Sequence, residues 1–318
     1  MTLLGYALSS EEHTPNDLVR NARRAEEVGF DFALISDHYH PWVEAQGHSP
    51  FVWSVIGGIA QVTERLRLGT GVTCPTVRIH PAIIAQAAAT AAAMMNGRFF
   101  LGVGTGENLN EHIFGDHWPP HPLRLEMLEE AVELIRLLWE GESTTFYGDY
   151  YMVEDARLFT LPDTPPPIMV AASGAKAIEA AGRIGDGFIG LSPKSEQIQQ
   201  FQEAGGNDNP CYGQVTVCWA ESEAEAKAIV STVWPNSGLR GQLSQDLRTV
   251  AHFEQAVKML SQEQRTENII CGPDPQKYKD SIYEFIDAGY DHIYIHQIGP
   301  DQEGFFSFYQ EEILPEFR

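Results

Sequence analysis

The sequence predicts an α/β fold, and within that class a closed (β/α)8 TIM barrel. Three observations predict it. Strand-like apolar runs alternate with helix-like runs along the whole chain, about eight times over. The length of 318 residues, 43% of them hydrophobic, suits one large barrel with a sizeable core. No Pro/Ser-rich linker divides the chain, so we expect a single barrel domain over residues 1–318. A doubly wound open sheet is the alternative that the same alternation permits.

The first strand is "LLGYALS". The helix "TPNDLVRNARRAEEVG" follows, with Thr14 suited to cap it, Pro15 to open it and Gly29 to stop it. "FDFALISD" is the second strand. The third, "RLRLGTGVTC", leads to the Ala-rich helix "PAIIAQAAATAAAMM", and the fourth, "RFFLGVGTG", to the amphipathic "PLRLEMLEEAVELIRLLWEG". Next come "PIMVAAS" with "GAKAIEAAGRIG", "DGFIGLS" with "SEQIQQFQEAG", and "GQVTVCWA" with "ESEAEAKAIVSTVW". "PDPQKYKDSIYEFIDAG", the eighth strand "DHIYIHQ" and "GFFSFYQEEILPEF" complete the chain. Two stretches read as insertions that shape the mouth of the barrel. One is "YGDYYMVEDARLFTLPDTPPP". The other is residues 235–265, rich in Gln and Ser with little periodicity.

Charge narrows the function. Asp and Glu number 44 against 21 Lys and Arg, a net charge of −23, which argues against nucleic acid or anionic membrane as a partner. The cysteines, Cys74, Cys211, Cys218 and Cys271, form no C-x-x-C pair, so zinc and thioredoxin-type chemistry are not indicated. With no basic n-region at the N-terminus and no apolar run of 18 residues, a cytoplasmic location is expected.

A barrel gathers its chemistry at the C-terminal ends of its strands. The second strand ends in "SDHYHPW", which sets Asp37, His38, His40 and Trp42 close together. One such histidine alone more often caps a loop, but other strand ends here are also unusual. The third reads "GTGVTCP", where Gly69 and Gly71 either admit a flat ligand close to the backbone or permit a bulge. The fourth reads "GVGTGENLNE". This is not a dinucleotide fingerprint, because it does not open the fold and Glu107 stands where a third glycine belongs. At the fifth, Ser173 and Gly174 enter a helix whose N–H groups make a seat for phosphate. Lys194 stands at the sixth. His38, His40, His48 and Glu44 match no helix-borne metal spacing, and no metal is expected.

The stretches "SDHYHPW", "GTGVTCPT", "FFLGVGTGENLNE", "EGESTTFYGDYY", "AASGAKAIEAAGRIGDGFIGLSPK" and "AGYDHIYIHQ" together resemble the luciferase-like barrels that use the deazaflavin coenzyme F420. The subgroup they resemble is typified by F420-dependent glucose-6-phosphate dehydrogenase, and the resemblance covers nearly the whole chain apart from residues 235–265. It implies a homodimer, with the deazaflavin across the barrel mouth and a small-molecule substrate beside it. By position, Asp37, Thr105, Gly106, Asn110, Ser173, Gly174, Lys176 and Ala177 would contact the cofactor. Gly71–Val72 falls where these barrels keep a non-proline cis peptide, and Cys74 stands where the family usually has threonine. His38, Glu107 and Trp42 carry over as the catalytic set. An imidazole suits removal of an alcohol O–H proton at cellular pH. Glu107, if a dry site keeps it protonated, could donate to the ring nitrogen. Trp42 packs the substrate.

The phosphosugar site is where the pattern departs. Lys194 matches the first of three basic residues, but Ser244 and Glu267 occupy the other two positions, with Arg240 or Arg265 left as substitutes. Charge-assisted contacts dominate phosphate recognition. An uncharged alcohol, sugar or carbonyl compound is therefore expected in preference to a sugar phosphate. The competing readings are an FMN-dependent monooxygenase on the same barrel, F420-dependent glucose-6-phosphate dehydrogenase proper, and a cofactor-binding protein without turnover.

Overall fold

A computed structural model describes residues 2–318. The strands are β1 (Leu3–Leu8), β2 (Phe32–Ile35), β3 (Arg67–Thr70), β4 (Phe99–Val103), β5 (Thr144–Tyr147), β6 (Met152–Ala156), β7 (Ile168–Ala171), β8 (Gly187–Gly190), β9 (Cys211–Cys218), β10 (Ile270–Cys271) and β11 (His292–Gln297). The α-helices are α1 (Pro15–Val28), α2 (Val52–Val62), α3 (Pro81–Met95), α4 (Asn108–Glu111), α5 (His121–Leu138), α6 (Ala175–Ile184), α7 (Ser195–Phe201), α8 (Glu223–Val233), α9 (Leu243–Asp246), α10 (Val250–Val257), α11 (Gln262–Thr266), α12 (Pro275–Asp287) and α13 (Gln302–Phe308).

The sheet runs β11-β1-β2-β3-β4-β7-β8-β9 and closes through β9 against β11, all pairs parallel. Closure excludes the doubly wound alternative. It follows from alternation along each strand. Leu4, Tyr6, Leu8, Ala33, Ile35, Leu101, Val103 and Ile293 face the helices. Phe32, Leu34, Phe100, Met169, Ile189, Tyr212 and Tyr294 fill the interior instead. Gly69 belongs to this interior. A Cβ there would stand 2.0 Å from the Phe100 ring, so its lack of a side chain makes room for Phe100, neither a ligand approach nor a bulge.

Helix α1 forms as its ends dictate. The Thr14 side chain accepts from the Asp17 N–H, and Gly29 takes the left-handed conformation at φ 106°. Among the described residues no helix is long and apolar enough to cross a membrane. The 147–167 stretch contributes to an antiparallel hairpin, β5–β6, outside the barrel. Glu130 of α5 accepts from the Asp149, Tyr150 and Tyr151 N–H groups, and the Tyr151 hydroxyl donates to the Thr76 carbonyl (3.1 Å) beside the mouth.

Residues 235–265 are more regular than the expectation of little periodicity. They hold α9, α10 and most of α11. In α10, Phe253 and Val257 lie four apart on one face and are buried against Val43 and Leu109, with Trp42 and Leu247 packed alongside. A single two-turn face is too short to stand out in a Gln/Ser-rich stretch.

Candidate active site

The C-terminal ends of β1, β2 and β4 converge on His38. Its Nδ1 lies 3.1 Å from Glu11 Oε1, an ion-pair contact without hydrogen-bond alignment, and its Nε2 lies 4.0 Å from Glu107 Oε2. The Trp42 ring meets the imidazole edge-on with centroids 4.9 Å apart. His38, Trp42, Glu107 and Asn110 are thus brought together.

The loop carrying His38 is tied at several points. Asn110 Oδ1 accepts from the Tyr39 and His40 N–H groups (2.9 and 3.1 Å), while its Nδ2 donates to Glu107 Oε2 (3.4 Å). The Ser49 hydroxyl donates to the His38 carbonyl (2.8 Å). His40 is engaged by the Leu109 carbonyl and stacks on His112. On its far face Trp42 meets Phe253 of α10, centroids 5.1 Å apart. The insertion therefore holds the indole against the imidazole.

Glu11 was not singled out from the sequence. It is buried, and it accepts from the Ser36 hydroxyl (2.7 Å) and the Ser9 hydroxyl (3.1 Å). Burial pushes its carboxyl up, but the charge of His38 and the Ser36 hydrogen bond oppose this and hold it below the usual carboxylate range. The signal was available in "SSEEHTP", a polar cluster directly after the first strand.

Beneath His38 lies a buried charge cluster. Asp37 accepts from the Arg78 guanidinium at Oδ1 (2.9 Å) and from the Thr73 hydroxyl at Oδ2 (2.8 Å). Arg78 also donates from its backbone N–H and Nε to Glu111 (2.7 and 3.4 Å). The side chains of Arg78, Asp37 and Glu111 are 5%, 1% and 1% exposed. One guanidinium serves two carboxylates, and burial pushes Glu111 up to about 7 while Arg78 opposes the rise. Neither Arg78 nor Glu111 stands out in the sequence, because an acid and a base 33 positions apart show no local pattern.

Along the floor, the Gly71–Val72 peptide is cis. Val72 packs beside Gly104, where a Cβ would lie 2.8 Å from it. Gly106, at φ 73°, closes on Cys74: a Cβ there would stand 2.5 Å from Sγ. Cys74 Sγ lies 2.9 Å from the Thr76 hydroxyl, and burial raises its thiol well above the usual range. Thr105 is half-buried between these glycines. The missing side chains at 104 and 106 thus make room for Val72 and Cys74, as that at 69 does for Phe100.

At the next strand ends, Ser173, Gly174 and Lys176 are exposed and Ala177 is buried. Gly174 caps α6 without a side-chain hydrogen bond, so the first-turn N–H groups keep their capacity for an anion. Lys194 is exposed at the start of α7. The two arginines that could complete a phosphate pocket already have partners. Arg240 pairs with Glu267, and Arg265 donates to the carbonyls of Ser231 and Val257.

A closed parallel barrel with an imidazole, carboxylates and an indole at the C-terminal rim of its strands defines an enzyme of the (β/α)8 class. The chain belongs to the luciferase-like monooxygenase family, whose model matches residues 2–292. It is 35% identical to the F420-dependent glucose-6-phosphate dehydrogenase of Amycolatopsis mediterranei (strain U-32), over 100% of this chain and 99% of that one. It is 36% identical to the enzyme of the same name from Microbacterium testaceum (strain StLB037), over 99% and 97%. Among solved structures it resembles an F420-dependent secondary alcohol dehydrogenase in complex with an F420-acetone adduct, with TM-score 0.92, 29% identity, and coverage of 100% of this chain and 99% of that one. The fold also matches the coenzyme F420-dependent tetrahydromethanopterin reductase of Methanopyrus kandleri, with TM-score 0.81, 21% identity, and coverage of 100% and 99%.

Proposed function

We propose that this protein is an F420-dependent oxidoreductase that moves a hydride between the deazaflavin and the alcohol or carbonyl carbon of a small uncharged substrate. The observation that carries this reading is His38, set between Glu11 on one nitrogen and Glu107 on the other, with Trp42 at its edge. The names of the relatives and of the similar alcohol dehydrogenase support it.

The residues fit such a cofactor. The cis Gly71–Val72 peptide and the half-buried Thr105 and Gly106 offer backbone to a flat ring, and the uncapped α6 N-terminus with Lys176 admits an anionic tail. When bound, the deazaflavin supplies a two-electron hydride acceptor. Cofactor contacts are assigned to Asp37, Gly71, Val72, Cys74, Thr105, Gly106, Asn110, Ser173, Gly174, Lys176 and Ala177. For Asp37 and Asn110 the role is mostly to position, since both carboxylate oxygens of Asp37 and the amide of Asn110 already have protein partners.

His38 takes the alcohol proton at Nε2, the nitrogen turned toward Glu107. Glu11, at Nδ1, stabilises the charged ring that results. Glu107 faces the cofactor ring. Its side chain is 32% exposed, so a bound ring, rather than the protein alone, would supply the dry surroundings. Trp42, braced from behind by the buried Phe253, presents an apolar wall to the substrate.

A sugar phosphate is disfavoured. Lys194 is the basic residue matching the expected three, Glu267 reverses the charge at another, Arg265 is anchored on backbone carbonyls, and Arg240 meets Glu267 in an exposed pair. The same reading takes the active form as a cytoplasmic homodimer. Exposed Phe51, Val62, Ile83 and Met94 on or beside the neighbouring helices α2 and α3 support the dimer.

Titration with F420 and with FMN tests the cofactor, and a panel of alcohols and sugar phosphates tests the substrate. F420 should bind more tightly and be reduced by small secondary alcohols. Preference for FMN, with oxygen consumption, would refute the reading in favour of a monooxygenase. Binding without reduction by any alcohol would leave a cofactor carrier.

A further inference from the structure

We propose that Cys218 and Cys271 form a reversible disulfide in the presence of a low-molecular-weight disulfide, stapling the base of the segment that covers the active site. Cys218 ends β9 and Cys271 ends β10. The two are direct partners in a parallel register, Ile270 opposite Val217 and Cys271 opposite Cys218. Opposed residues of parallel strands send their side chains to the same face, and the strands lie ~4.8 Å apart. That spacing falls within the ~4.4–6.8 Å range of Cα separations that a disulfide spans.

The packing agrees. Val217 and Ile270 join the main core between sheet and helices. Cys218 and Cys271 instead share a separate cluster with Ala220, Ala226, Val230, Ile269 and Ile298. Both are free thiols, as are Cys74 and Cys211. Cys74 sits by Thr76 in the loop after β3, and Cys211 begins β9, the opposite end of the strand from Cys218.

The pair encloses residues 219–270, which hold α8 and the whole insertion with Phe253. The return of this excursion to the barrel is slight. β10 contributes a two-residue ladder, and the Gly272 N–H adds one hydrogen bond to the Cys218 carbonyl (3.0 Å). A covalent link here joins the first and last residues of the excursion and limits how far the insertion can lift from Trp42.

Access is from one side. Cys271 is 6% exposed, on the wall of an open groove of about 780 Å³ between α8, α11 and α12, while Cys218 is fully covered. The Cys271 thiolate therefore attacks a sulfur of the oxidant and releases one thiol. The Cys218 thiolate then attacks the Cys271 sulfur and releases the second. Two protons leave the protein thiols and two electrons pass to the oxidant. Burial pushes Cys271 up to about 11; Glu223 adds to the rise, while Lys227 and Lys277, both paired with Glu223, pull the other way, so oxidation is slow near neutrality and quickens as the thiolate forms.

The test treats the native full-length protein with oxidised glutathione and maps peptides by mass spectrometry without reduction. Expected are a mass loss of two hydrogens, a peptide linking Cys218 to Cys271, and reversal by dithiothreitol. The rate should rise about tenfold per pH unit from pH 7.5 to 9.5. Cys271→Ala and Cys218→Ala should each abolish the link, and hydrogen exchange over residues 235–265 should slow in the oxidised wild-type protein. A glutathione adduct that persists on Cys271, a link that forms only in urea, or one that involves Cys74 or Cys211 overturns the proposal. Unchanged exchange over the insertion overturns its role as a staple.

Discussion

Replacing Glu111 by Gln should change how stability depends on pH more than it changes stability at any single pH. Glu111 is buried beside an arginine that also serves Asp37, and its carboxyl is raised from 4.5 to about 7. The unfolded chain gives up this proton near 4.5, whereas the folded protein keeps it until about pH 7. Between those values the folded state binds more protons. The stability this group contributes is fully present below pH 4.5 and is lost as pH rises through 7. Integrated from pH 5 to pH 8, the loss is about 2.5 kcal/mol. Urea unfolding of wild type and Glu111→Gln at pH 5, 6, 7 and 8 isolates this group, since other titrations cancel in the difference. The variant should be less stable relative to wild type at pH 5 than at pH 8, by roughly 2–3 kcal/mol. A difference that stays constant with pH would mean that Arg78 keeps Glu111 ionised throughout, and the reasoning from shared charge would be wrong.

His38→Ala should cut turnover with an alcohol roughly 10²–10⁴-fold while F420 affinity holds, and near-normal turnover would return His38 to a loop-capping role. Phe253→Ala removes a fully buried ring that props Trp42, so it should cost about 3–5 kcal/mol of stability and raise KM for small alcohols. An unchanged unfolding midpoint with normal kinetics would show that α10 does not brace the site. Lys194→Ala should alter the kinetics of neutral alcohols about twofold or less, because its exposed ammonium pairs weakly with anything at the rim. Efficient oxidation of glucose 6-phosphate, lost in this variant, would show that Arg240 or Arg265 swings into the pocket.

Much of the barrel was legible in the chain. Seven of the eight barrel strands fall within the apolar runs read from the sequence, and the eighth, β9, begins two residues before its run, because a parallel strand buried on both faces is mostly apolar. Caps such as Thr14 and Gly29 are local, and local rules found them. His38, Trp42 and Glu107 stood out in the sequence because they cluster where buried strands end, although Trp42 also packs on Phe253. Gly69 was visible but misread: a pattern shows that a side chain is missing, not which neighbour fills the space.

Tertiary structure alone decided the rest. Glu11 reaches His38 from another strand end, and Glu111 meets Asp37 only through Arg78, so neither contact leaves a trace at any fixed spacing. The exposed pairing of Arg240 with Glu267 and the anchoring of Arg265 on backbone carbonyls appear only in the folded protein. Phe253 became part of the site because α10 folds back onto Trp42. Periodicity along a chain reports which face is buried. Which partner that face or charge meets depends on contacts between residues far apart in sequence, and these exist only once the barrel has closed.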